Sequence, residues 1–149
     1  MSAARRGAAA TPAVVLDTPA LLQALMAIDG PGAQVRLAWQ AGRLRPLADR
    51  ALVSEWLRAL AWPGFGLSPA DREELLADIL PYAEVVPPAP EAEAPSPGRR
   101  RMPGPAEALA RRSAPCWLVS PRPLKLPQRL RCRVLDLAAL AAQRPDAAP

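Results

Sequence analysis

The sequence predicts an α/β protein, on three observations. A β-branched apolar run, AVVL, opens the patterned part of the chain at 13–16; segments with helical periodicity follow it; and further β-branched runs return in AEVV and CWLV. Strands alternating with helices are the signature of that class. A length of 149 residues fits one domain with a substantial core.

The elements follow in order. After the strand Ala13–Leu16, PALLQALMAI spaces Leu21, Leu22, Leu25 and Ile28 as one helical face. Gly30-Pro31-Gly32 is expected to stop that helix. AQVRLAWQAGRL resumes with Val35, Leu37, Ala38 and Trp39 and terminates at Gly42. RLRPLA is a short extended piece, and DRALVSEWLRALAW carries an apolar stripe of Leu52, Val53, Trp56, Leu57 and Leu60. SPADREELLADILPYA has the strongest start signal, with Ser68 as N-cap, Pro69 in the first turn and acids behind it. It leads through Tyr82 into AEVV.

Residues 87–105 contain seven prolines and read as a mobile, poorly ordered loop. Beyond it, PAEALARRSA is a short helix, CWLVS a buried strand, and RCRVLDLAALAAQ a last strand running into a helix capped by Asp136. The chain thus divides into a disordered tail over 1–12, one domain over 13–142 and a C-terminal tail over 143–149.

Composition excludes several chemistries. With no histidine and two cysteines distant in sequence, Cys116 and Cys132, zinc sites of the Cys/His type, histidine triads and haem ligation are removed. Any metal must be held by carboxylates, which favours Mg²⁺ or Mn²⁺. Both cysteines read as buried, inert thiols. Pro12 and Asp17 interrupt the N-terminal apolar run before it forms a signal peptide, and no stretch approaches a membrane span; the expectation is a cytoplasmic protein.

Charge is uneven. Residues 1–94 carry 8 basic and 11 acidic side chains, and residues 95–149 carry 11 basic and 3 acidic. A basic half suits RNA or an acidic partner, and a coding bias toward arginine produces the same asymmetry. Arg99, Arg100 and Arg101 are a solvated run or a phosphate contact. Trp39, Trp56, Trp62 and Trp117 read as core or half-buried packing rather than base-stacking platforms.

Asp17 poses the functional question. An acid at the carboxyl end of a strand stands where open α/β sheets bind ligands and metals, yet an Asp-Thr pair before a proline-led helix is equally a cap.

The run VVLDT, the block LAWQAGRLRPLADRALVSEWLRALAWPGF, the helix LSPADREELLADILPYAEVV and the strand CWLVS together resemble a PIN-domain protein, of the subfamily of toxin components of toxin–antitoxin systems. The resemblance spans roughly residues 13–140, with the middle block its most specific part. It implies a three-layer α/β/α sandwich around a central parallel sheet. It also implies an acidic pocket at the strand ends, where carboxylates hold Mg²⁺ or Mn²⁺ to cut RNA.

On that pattern Asp17 matches the first-strand aspartate and Glu55 the helix glutamate; Glu55 is otherwise a solvated surface acid. The later acids are missing. Met102, Pro103, Gly104 and Pro105 cover the positions of one acidic cluster; Ser120 replaces a threonine; Arg122 and Leu124 replace aspartates; and Pro19 replaces an asparagine. Arg122 is expected to repel a cation and to pair with Asp17 or Glu55, with Ser120 and Arg122 the remaining substrate contacts. Glu107 lies a turn into its helix and is expected to project from a different place than the lost acids, and Glu91 and Glu93 belong to the proline-rich loop.

The expectation is a degraded, catalytically inactive or binding-only PIN-like protein, with RNA, an antitoxin-like protein or a second copy as partners. The alternative is a weak Mg²⁺- or Mn²⁺-dependent endonuclease of single-stranded RNA that uses Asp17 and Glu55, supplemented by Glu107 or a loop glutamate.

Overall fold

The structure is a computed structural model and describes residues 11–88, 103–122 and 124–143. The N-terminal residues 1–10, the C-terminal residues 144–149 and most of the proline-rich loop, with Glu91, Glu93 and Arg99 to Arg101, lie outside the described residues.

Five strands form one parallel sheet: β1 (Ala13–Leu16), β2 (Arg45–Ala48), β3 (Glu84–Val85), β4 (Cys116–Val119) and β5 (Cys132–Leu135), in the order β3-β2-β1-β4-β5. Helices α1 (Thr18–Met26), α2 (Gly30–Gln40), α3 (Arg50–Leu60), α4 (Pro69–Ala77), α5 (Pro105–Ser113) and α6 (Leu137–Ala141) connect and cover the strands. The α/β class and the three-layer sandwich are therefore as expected. Among the described residues no helix is long and apolar enough to cross a membrane.

The strand alternation assigns the layers. Successive strand residues point to opposite faces of a sheet. Trp117 borders Val35 and Leu140 of α2 and α6, whereas the Cys116 thiol lies 3.5 Å from the carbonyl of Ala110 in α5. Thus α2 and α6 cover one face and α5 the other. β1 and β4 lie at the centre, and every residue in them is buried, as strands covered on both faces must be.

The α1–α2 corner corrects the predicted helix boundaries. Gly30-Pro31-Gly32 does separate two helices, but α2 starts at Gly30, because proline is tolerated in a first helical turn. Gly32 is where the helices touch: a Cβ there meets the Ala27 Cβ and the Gln23 carbonyl at 3.1 Å. Arg36 then reaches back to the carbonyls of Ala24, Leu25 and Ala27, which satisfies the open end of α1. Since α1 ends at Met26, Ile28 falls beyond it and is 96% exposed rather than part of the buried face.

Other apolar stripes narrow in the same way. In α3, Leu52, Trp56 and Leu60 recur every four residues and are buried, while Leu57 is rotated off that face and exposed. Leu37 of α2 is exposed for the same reason. Trp39, Trp56 and Trp117 are core residues; Trp62 is exposed and meets Phe65 edge-on. Trp39 also donates from Nε1 to the Asp78 carbonyl at 2.8 Å, fastening α2 to the end of α4.

Predicted caps occur where expected. Ser68 and Asp71 form a reciprocal capping box, and Asp136 accepts the Ala139 N–H at the start of α6.

Candidate functional site

Parallel strands deliver their last residues to one edge of the sheet. In this strand order the chain reverses direction across the sheet between β1 and β4, and such a switch point opens a crevice at the carboxyl ends of those strands. Four strands are followed there by a polar residue: Asp17 after β1, Asp49 after β2, Ser120 after β4 and Asp136 after β5.

Two of these acids are occupied structurally. Asp49 accepts the Leu52 N–H at 2.9 Å as the cap of α3, and its other oxygen pairs with Arg112 of α5. Asp136 caps α6.

Asp17 differs. It precedes α1 in the cap position, but its side chain makes no capping hydrogen bond. Instead the Ser120 hydroxyl donates to Asp17 Oδ2 at 2.9 Å, and the same hydroxyl accepts the Arg122 N–H at 3.1 Å. The backbone N–H of Asp17 donates to the Val119 carbonyl at 2.8 Å, which extends the β1–β4 ladder to this residue. The side chain of Asp17 is thus not a cap: the carboxylate stands at the switch point, tied to β4.

Asp17, Glu55, Glu107 and Arg122 line a single cavity of about 150 Å³, closed by Leu124 and the turn Gly104 to Ala106. Glu107 lines this cavity because α5 crosses β1 and β4 with its first turn over their ends. Glu107 also receives Arg111 Nη2 at 3.0 Å, an i,i+4 pair along α5. The expected pairing of Arg122 with Asp17 or Glu55 is not formed: among the described residues Arg122 makes no ion pair, and its side chain is exposed at the cavity.

A hard divalent cation requires several oxygen ligands in one shell. Among the described residues no three acidic, cysteine or histidine side chains stand close enough to share a metal ion. The described carboxylates at this crevice therefore do not by themselves make a three-ligand shell for Mg²⁺ or Mn²⁺. Three acids and a guanidinium around one crevice make an electrostatically mixed surface, with acceptors in Asp17 and Glu55 and a donor in Arg122.

A larger cavity of about 300 Å³ lies on the other face, lined by Val35, Leu44, Trp117 and Leu140. Its lining is mainly apolar, with Arg43 and two glutamines, and it holds none of the strand-end acids.

Sequence reasoning missed the Asp49–Arg112 pair. Asp49 is not among the predicted caps, and nothing local to residue 49 points to an arginine 63 positions later. Comparison with protein-family profiles, curated proteins and solved structures finds no match to this chain.

Proposed function

We propose that this chain is a PIN-like domain, resembling the ribonuclease toxins of toxin–antitoxin systems, whose acidic site engages RNA without cutting it. The observation that carries the reading is Asp17: it alone of the three strand-end aspartates is excluded from capping, and it shares a switch-point crevice with Glu55, Glu107 and Arg122. Arg122 supports binding over hydrolysis, because a guanidinium at the crevice repels a dication and attracts a phosphate. In this reading Ser120 orients Asp17, and Arg122 contacts the nucleic-acid backbone. The basic C-terminal part of the chain adds sequence-independent attraction.

A second reading is a weak Mg²⁺- or Mn²⁺-dependent endonuclease of single-stranded RNA, favoured by the presence of Glu107 beside the two inherited acids. An antitoxin-like protein and a second copy of the chain remain partners in either reading, and a cytoplasmic location suits both.

The deciding experiment incubates the purified chain with mixed single-stranded RNAs and Mn²⁺, beside Asp17→Asn and Glu55→Gln variants. The binding reading expects retention of RNA, weakened by Arg122→Gln, and no cleavage. Cleavage abolished by both acid substitutions overturns it in favour of the nuclease.

A further inference from the structure

The two cysteines, sixteen positions apart in the chain, meet in the sheet. Cys116 opens β4 and Cys132 opens β5, and the parallel register sets them directly opposite each other. Register partners on neighbouring strands send their side chains to one face, with strands about 4.8 Å apart. That spacing lies within the Cα separations of about 4.4–6.8 Å that disulfides span. The sulfurs are 3.6 Å apart and unbonded, so closure to about 2.05 Å needs a small rotation of the side chains rather than a new fold.

The pair is asymmetric. Cys116 is buried beneath α5, whereas Cys132, on the edge strand, is partly accessible. An oxidant therefore reaches the pair through Cys132.

We propose that Cys116 and Cys132 are a redox modification site that closes to an intramolecular disulfide with hydrogen peroxide, Cys132 acting as the reactive sulfur and Cys116 as the resolving one. The proposal is independent of the nuclease-like reading of the acidic crevice.

The thiol acidities support the division of roles. The hydrogen bond from Cys116 lowers the pKa of Cys132, with the charge of Arg111 contributing in the same direction, and burial opposes them. The same hydrogen bond, with burial, raises the pKa of Cys116. The thiolate is the nucleophile, so attack begins at Cys132.

In the first step the Cys132 thiolate bonds to one peroxide oxygen, the O–O bond breaks and hydroxide leaves, giving a sulfenic acid. In the second, Cys116 loses its proton and its sulfur attacks Cys132 Sγ; the S–O bond breaks and the departing hydroxide takes up the proton as water. Two thiol sulfurs are oxidised and one peroxide is reduced.

The bond has a defined consequence. It closes a ring containing Ser120, Arg122 and Leu124, so the segment that supplies one wall of the acidic crevice becomes covalently tethered at both ends. It also fastens the edge strand β5 to β4.

The test treats the reduced full-length chain with hydrogen peroxide, alkylates it under denaturing conditions and measures the intact mass. The expected product is monomeric, lighter by two hydrogens, with both cysteines protected from alkylation and both restored by dithiothreitol. Cys116→Ser is expected to accumulate a dimedone adduct at Cys132, forming ~10-fold faster or more than any adduct at Cys116 in Cys132→Ser. Two fully alkylated cysteines after peroxide, or a disulfide that joins two chains, overturns the proposal. A dimedone adduct at Cys116 as fast as that at Cys132 overturns the division of roles. The wild-type mass measurement needs no substitution, so it stands even where a variant fails to fold.

Discussion

Ser120 at the end of β4 donates its hydroxyl to the carboxylate of Asp17 at the end of β1, across 2.9 Å. The bond joins the two strands between which the sheet topology reverses. Ser120 is 3% exposed, so no bulk water replaces the hydroxyl when it is removed. Ser120→Ala is expected to cost about 1.5–3 kcal/mol, the range for a hydrogen bond to a charged group. Urea unfolding checks this, with an unchanged denaturant slope. A change within about 0.5 kcal/mol, normal for surface substitutions, would show that the bond does not organise the crevice.

The pair between Arg112 and Asp49 carries a second expectation. Their side chains are only 20% and 10% exposed, and Arg112 also donates to the Pro87 carbonyl at 2.6 Å. Removing the guanidinium leaves the Asp49 side chain without its partner and largely excluded from water. Arg112→Gln is expected to destabilise the fold by about 2–3 kcal/mol, below the cost for a fully buried pair because some solvent reaches it. In an Asp49→Asn background, which retains an acceptor for Leu52, the same change should cost about 1–2 kcal/mol less. Equal costs in both backgrounds would mean that the ion pair is not the source.

Arg122 bears on the cation chemistry of the crevice. Arg122→Asp reverses the charge beside Asp17 and Glu55 and adds a carboxylate where the resemblance places one. Mn²⁺ affinity, measured by calorimetry, is expected to rise ~10-fold or more over wild type, with Arg122→Gln between them. Indistinguishable affinities for all three proteins would place any Mn²⁺ binding outside this cavity.

The start of α4 supplies a pH dependence. The Ser68 N–H donates to Asp71 at 2.9 Å and the Asp71 N–H to Ser68 Oγ at 3.1 Å. The backbone bond first, and the side-chain bond second, hold the Asp71 carboxyl below its ordinary value of 3.8. A depressed folded-state pKa stabilises the fold above the unfolded value, and that contribution is lost as pH falls through the folded value. The stability curves of wild type and Asp71→Asn should therefore run parallel above pH 3.8 and converge below it. A gap that stays constant through the acid range would exclude Asp71 as its cause.

What the sequence by itself determined was local. AVVL at 13–16 and CWLV at 116–119 are legible as buried strands because β-branched and apolar runs suit a sheet covered on both faces. Ser68 and Asp136 are legible as caps because the groups they satisfy lie within three residues. The helix faces were only half legible: periodicity marks the stripe, but packing decides that Leu57 at its margin stays uncovered, and Ile28 falls beyond the end of its helix.

The tertiary structure decided which partners the chemistry-bearing residues meet. Asp17, Asp49 and Asp136 all look alike in sequence, each an acid between a strand and a helix. Their roles diverge because Ser120 comes to the first, Arg112 to the second and a helix N–H alone to the third. Glu107 and Glu55 share a cavity, and Cys116 and Cys132 a register, through contacts between residues remote in the chain. Short-range propensity acts over one or two turns, whereas strand order and helix crossing set which distant side chains meet, and those meetings define the site.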